Sequence, residues 1–193
     1  MLKHLRPAFM LTILFTLVLG LAYPLAMTGI SALAFPGAAG GSLIKRSGVL
    51  IGSDLIGQSF TSEHYFWPRP SATSPDPYNA ASSSGSNLGP TSAKLRESVA
   101  ANVERLKSSG LSGPIPADAV TGSGSGLDPH ISPQFARAQV ERVAKARGLP
   151  PADLLALVAR IEEAPLLGFI GEPRVNVLRL NLALDDVKTS TKP

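Results

Sequence analysis

Residues 7–44 contain no charged side chain, and this constrains the chain more than any other feature. A helix crossing a bilayer needs about 20 apolar residues to span about 30 Å of hydrocarbon. Residues 8–33 supply that length with room for tilt. Thr12 and Thr16 do not interrupt the reading, because a helix lets their hydroxyls bond back to the preceding turn. Pro24 is expected to bend the helix or mark its outer turn. Lys3 and Arg6 precede the run, so residues 1–7 are expected on the cytoplasmic side and residues 34–193 outside. The competing reading is a cleaved signal peptide, since Ala32-Leu33-Ala34 has the small-x-small form of a cleavage site. A signal peptide's apolar region is usually about 7–15 residues, and the greater length here favours a retained anchor. No later segment is long and apolar enough to return across the membrane.

Charge then narrows the classes of partner. Two of the 18 basic residues precede the apolar run, and the remaining 16 face 14 acidic ones. That near balance argues against a nucleic-acid binder, which clusters its basic residues into a patch or stripe. With no cysteine, the chain has no disulfide, thiolate nucleophile or thiolate-ligated metal. A domain of this size can still hold together by core burial.

Beyond the anchor, the pattern predicts an α+β domain. Leu43-Ile44 and Val49-Leu50-Ile51 flank Lys45-Arg46-Ser47-Gly48 as a short hairpin, which Leu55 to Phe60 continues. Leu95, Val99, Val103 and Leu106 recur at helical spacing within 91–108, capped by Thr91 or Ser92 and ended by Gly110. Ser132-Pro133 opens a second helix, with Phe135, Ala136, Val140, Val143 and Ala144 inside and Gly148 at its end. Residues 151–163 form a third, with Leu154, Leu155, Leu157, Val158 and Ile161 inside. Residues 174–184 alternate with a slip of phase near Val177-Leu178, which predicts a strand with a bulge or one buried on both faces.

Two irregular tracts remain, residues 63–90 and 111–131. Their Pro, Gly and Ser content suits flexible linkers. Tyr65, Phe66, Trp67, Arg69 and Tyr78 in the first suit an ordered contact surface instead.

Familiar catalytic motifs are missing. The run Gly122-Ser123-Gly124-Ser125-Gly126 matches neither the Gly-x4-Gly-Lys-Ser/Thr nor the Gly-x-Gly-x-x-Gly phosphate loop. Ser125, Asp128 and His130 suggest a hydrolase triad, but no Gly-x-Ser-x-Gly accompanies them. Asp128 to Pro133 reads better as turn chemistry leading into a helix cap. His64 and His130 lack paired metal-ligand spacing. Glu162 and Glu163 read as a solvated helix edge. The chain also lacks an Asp-Lys-Thr-Gly phosphorylation motif and a Thr-Val-Gly-Tyr-Gly filter, so it is neither an ion-pump motor nor a pore by itself.

An ordered set of segments resembles the KdpC family, the small C subunit of the bacterial Kdp potassium-transporting ATPase. The set comprises Gly41 to Ile44, Gly52 to Phe60, Tyr65-Phe66, Arg69 to Ala72, Tyr78-Asn79, Gly85 to Leu88 and Val120 to Asp128. It continues with Gln139, Arg142 to Arg147, Gly171 to Leu178 and Leu180 to Leu184. The resemblance runs from about Tyr23 to Leu184, and Pro68 departs from it, where Gly is commoner. It implies that the anchor is retained and the irregular tracts are ordered. It implies a bacterial plasma (inner) membrane location and three partners: a channel-like potassium-translocating subunit, a P-type ATPase subunit and a very small helical subunit.

Two roles follow from the resemblance. In one, the chain is a non-catalytic accessory subunit that stabilises the complex and caps the outer mouth of the channel-like subunit. In the other it is a catalytic chaperone that raises the ATP affinity of the motor subunit through a shared nucleotide site. Ser123, Ser125 and Gln139 are then the candidate contacts. The charge-derived orientation puts these residues away from cytoplasmic ATP. A secreted hydrolase using Ser125, Asp128 and His130 is a third class.

Overall fold

A computed structural model describes residues 2–187. The chain divides into two compact units, one ending at residue 51 and the other beginning at residue 52.

The first unit is dominated by one continuous helix, Leu5–Ala34, of 30 residues. At 1.5 Å per residue it is about 45 Å long, more than the hydrocarbon core requires. None of its side chains is buried within the structure. An apolar surface all round and unburied needs lipid or another protein to cover it. The helix consists of α1 (Leu5–Phe15), a π-helical stretch Thr16–Ala22 and α2 (Tyr23–Ala34). Pro24 explains the stretch, because a proline ring crowds the carbonyl four residues back. Here the Tyr23 N–H donates five residues back, to Val18 O, and Pro24 sits in the first turn of α2. The threonine hydroxyls donate to the preceding turn, Thr12 to Ala8 O at 2.9 Å and Thr16 to Thr12 O at 2.8 Å. A short α3 (Pro36–Ala39) leads to β1 (Leu43–Arg46) and β2 (Val49–Ser53), which pair. Ser47 and Gly48 between them both have positive φ, as a two-residue hairpin turn needs.

The second unit is mostly helical. It contains α4 (Ala93–Ser108), β3 (His130–Ile131), α5 (Pro133–Ala138), α6 (Val140–Arg147), α7 (Pro151–Ile161), β4 (Val175–Asn176) and α8 (Val177–Asp185). Ser92 caps α4 by accepting from Leu95 N, and Ser132 caps α5 by accepting from Phe135 N at 3.0 Å. Pro133 takes the first helical position of α5, and Gly148 ends α6 in the left-handed region. Phe66, Leu106, Phe135, Leu154, Leu180 and Leu184 are fully buried in the shared core.

Several expectations need correction, beginning with the hairpin, whose second strand ends at Ser53 and does not continue through Leu55 to Phe60. Residues 174–184 are not one strand: Arg174 bridges Glu163, Val175–Asn176 pairs antiparallel to His130–Ile131, and α8 follows at once. The Asn176 side chain caps that helix by accepting from Arg179 N at 3.1 Å. Val177, Leu180, Asn181 and Leu184 then share the buried face at helical spacing. The helix opened by Ser132 is divided at Gln139, where a three-residue bond to Ala136 O replaces the regular one. The third helix stops at Ile161, because Glu163 enters a two-way backbone bridge with Arg174. Leu155, expected inside it, is 45% exposed.

Candidate functional site

Both irregular tracts are ordered by side chains that bond their backbones. The stretch Tyr65-Phe66-Trp67 runs between α6 and α8. Phe66 N donates to Asn181 Oδ1 at 2.9 Å, and Asn181 Nδ2 donates to Phe66 O at 3.0 Å. Trp67 N donates to Gln139 Oε1 at 2.7 Å, and Gln139 Nε2 donates to Trp67 O at 3.1 Å. Each carboxamide thus serves a backbone residue as a neighbouring strand would, satisfying both polar groups of a buried peptide. Arg142 lies over the Trp67 ring, 3.8 Å from its centroid, and donates to Glu63 O, Tyr65 O and Gln139 Oε1. Burial pushes its guanidinium down to about 10. Arg147 donates to His64 O and to Asp185 Oδ1, and stacks on Tyr65. Phe66 and Trp67 are therefore core residues of the unit and do not form an outward contact surface.

A chain of charges crosses another part of the unit. Arg69 pairs with Asp128 Oδ2 at 2.9 Å and donates to Thr121 O and Gly122 O. Asp128 Oδ1 accepts from His130 N at 3.0 Å and lies 3.3 Å from His130 Nδ1. His130 Nε2 faces Glu163 at 4.0 Å. Glu163 holds Arg174 at 2.9 Å and Arg179 at 3.2 Å, and Arg179 is forked on Asp54. Burial works to raise the Asp128 carboxyl, but the bonds from His130 and Arg69 outweigh it and hold the group below its ordinary value. Burial, helped by the negative charge of Asp128, pushes the Tyr78 phenol well up, so it stays a donor to Arg69 O. Arg179 is pushed up by its bond to Asp54. Gly57 sits where these loops meet: a Cβ there would lie 2.4 Å from the Tyr78 ring and 2.7 Å from Asp128 O. Arg69, Asp118, Asp128, His130 and Arg174 line an open cleft of about 830 Å³, together with the apolar Pro114, Ile115 and Pro173.

The residues singled out in the sequence do not converge on one site. Gln139 is 0% exposed, and its carboxamide is engaged inside the fold. Ser123 Oγ accepts from Gly126 N at 2.9 Å, and Ser125 Oγ accepts from Leu127 N at 3.1 Å. Their loop lies against residues 83–85, with Ser84 N donating to Ser125 O. None of the three lines the cleft, and the Ser123 and Ser125 hydroxyls lie 3.4 Å from each other. Both ring nitrogens of His130 face carboxylates, which leaves neither bonded to Ser125. Asp128 and Ser132 act as the turn and cap chemistry the sequence suggested. Glu162 and Glu163 form no idle solvated edge: Glu162 pairs with Arg137, and Glu163 joins the charge chain.

Sequence reading missed the long-range partners Asp54, Asn176 and Arg179. It also missed a finger at 163–174, whose apolar tip was visible as the uncharged run Ala164 to Gly171 between Glu163 and Glu172.

A family model described as KdpC, the c chain of a K+-transporting ATPase, matches residues 5–186. A relative from Allorhizobium ampelinum, named a potassium-transporting ATPase KdpC subunit, is 58% identical over 185 residues, covering 96% of this chain and 97% of its own length. A subunit of the same name from Methylobacterium nodulans is 56% identical over 198 residues, covering 97% and 98%. One from Sorangium cellulosum is 55% identical over 190 residues, covering 97% and 100%.

Proposed function

The chain belongs to the KdpC family, and from that premise we propose that it is a non-catalytic accessory subunit of an ATP-driven potassium importer. Residues 1–7 lie in the cytoplasm, residues 8–33 span the bacterial plasma (inner) membrane, and residues 34–193 form an extracytoplasmic domain. That domain stabilises the assembly and caps the outer side of a channel-like potassium-translocating subunit. A P-type ATPase subunit and a very small helical subunit complete the complex. The observation that carries the reading is the pairing of an unburied apolar helix of 30 residues with a second unit that has its own core. The end of the helix and the short turn after it would pack on their neighbours through a concavity lined by Met27, Thr28, Ser31, Ala32, Pro36, Ala39 and Gly40. Lys3 and Arg6, with no acidic residue before the apolar run, support the orientation.

The alternative, a shared nucleotide site that raises ATP affinity, would need Ser123, Ser125 and Gln139 to reach a ligand. The buried, doubly bonded Gln139 weighs against it. Removing residues 36–193 while keeping the helix tests the accessory role. The expected result is loss of complex yield and of potassium uptake, and unchanged values of both would overturn it.

A further inference from the structure

Residues 163–174 form a finger that the fold supports but does not cover. Glu163 bridges Arg174 at its base, and Leu166 bridges Ile170 near its tip. Leu166 N donates to Ile170 O at 3.0 Å, and Ile170 N donates to Leu166 O at 2.9 Å. The base is braced by the ion pairs of Glu163 with Arg174 and Arg179. At the tip, Leu166 is 68% exposed, Leu167 76%, Phe169 76% and Ile170 50%. The turn itself runs against local preference. Leu167 (φ 55°) and Gly168 (φ 81°) both adopt the left-handed region. The favoured residues for such a pair are Asn-Gly or Asp-Gly, and a leucine in the first position is strained and solvated. A large apolar side chain at that position is unexplained by folding, because neither the backbone nor the core gains from it.

We propose that this finger is a docking anchor that inserts Leu167 and Phe169 into an apolar pocket on another protein subunit of the same membrane complex. The inference rests on the accessory-subunit reading and names the part of the domain that makes the contact. A protein pocket suits the finger better than a bilayer surface does. Membrane-seeking loops set Trp, Tyr, Lys or Arg beside their apolar tips. Residues 164–171 contain none of these, and no lysine lies between Lys145 and Lys188. Glu172 flanks the tip, and an anionic headgroup layer would repel it, while the charges of Glu162 and Glu163 are offset by Arg137 and Arg174. The flanking Arg174 is already held by Glu163. A braced, preformed projection ending in leucine and phenylalanine is the form of an interface anchor, since little is lost in ordering it.

Two measurements on the complete purified complex test this. The first is the double variant L167N/F169S, which puts a turn-favoured residue at the strained position. Its thermal midpoint should equal or exceed that of the unaltered chain, while its retention in the complex falls roughly tenfold. Unchanged retention overturns the docking anchor but leaves the accessory role standing. That role falls separately, if removal of residues 36–193 leaves the complex and uptake intact. The second places a benzophenone-bearing residue at position 169. Illumination should give one covalent adduct with another subunit, identified by its cross-linked peptide. Adducts confined to lipid, adducts with a second copy of this chain, or no adduct at all each overturn the proposal.

Discussion

Gln139 and Trp67 exchange two hydrogen bonds, at 2.7 and 3.1 Å, so that a helix side chain completes the backbone pairing of a residue 72 positions earlier. Replacing Gln139 with Leu leaves a buried N–H and a buried C=O without partners. The expected loss is about 2–4 kcal/mol of stability, read as a lower thermal midpoint of the full chain in detergent. Gln139→Glu keeps the acceptor and loses the donor, so its loss should be smaller. Equal stability of Q139L and the unaltered chain would contradict the pairing.

Arg142 stacks on Trp67 and donates to three oxygens. Lysine has neither the flat face nor the forked donors. Arg142→Lys is expected to cost about 2–3 kcal/mol. Because Trp67 is the one tryptophan of the chain, its fluorescence reports the same event, shifting to the red as water reaches the indole. An unchanged spectrum together with an unchanged midpoint would contradict the stacking role.

Asp128 gives the domain an acid-sensitive element. Its folded pKa lies below the ordinary 3.8, so the native state binds fewer protons than the unfolded chain as pH falls. The stabilisation is therefore fully present above about pH 4 and is lost as pH drops through the folded value. Asp128→Asn should lower the midpoint at neutral pH, and the gap to the unaltered chain should narrow in acid. A gap independent of pH would argue that shape, and not charge, is what Asp128 contributes.

Gly57 is required by contact, with a Cβ meeting the Asp128 carbonyl at 2.7 Å. Gly57→Ala should destabilise by about 1–3 kcal/mol through overpacking, measurable by denaturant unfolding. Wild-type stability would show that the 57 and 128 loops can move apart freely.

Legibility followed the range of the interactions. Ser92, Ser132, Pro133 and Gly148 act on neighbours within a turn, and the helix starts and stops they set were readable. The long N-terminal helix was readable because uninterrupted apolarity leaves few alternatives. Residues 174–184 were misread because leucines at 178, 180, 182 and 184 fit a period of two, while helical spacing also joins Val177, Leu180, Asn181 and Leu184. Asn176 decides the matter as a cap, and a lone Asn within an apolar run does not announce that role. The roles of Phe66, Trp67, Gln139 and Asn181 were hidden because their partners lie 72 to 115 positions apart. The Ser123 and Ser125 hydroxyls drew attention as ligand contacts, yet their bonds are local turn bonds that Gly/Ser composition equally allows.

The most direct test of the central claim is the side of the membrane on which the second unit lies. A reporter that matures only outside the cytoplasm and one that fluoresces only inside it can each be fused after Pro193 of the full chain. Activity is expected from the first and none from the second, with potassium uptake retained. A fluorescent cytoplasmic fusion with no external activity would contradict it, reverse the orientation and return Ser123 and Ser125 to the compartment that holds ATP.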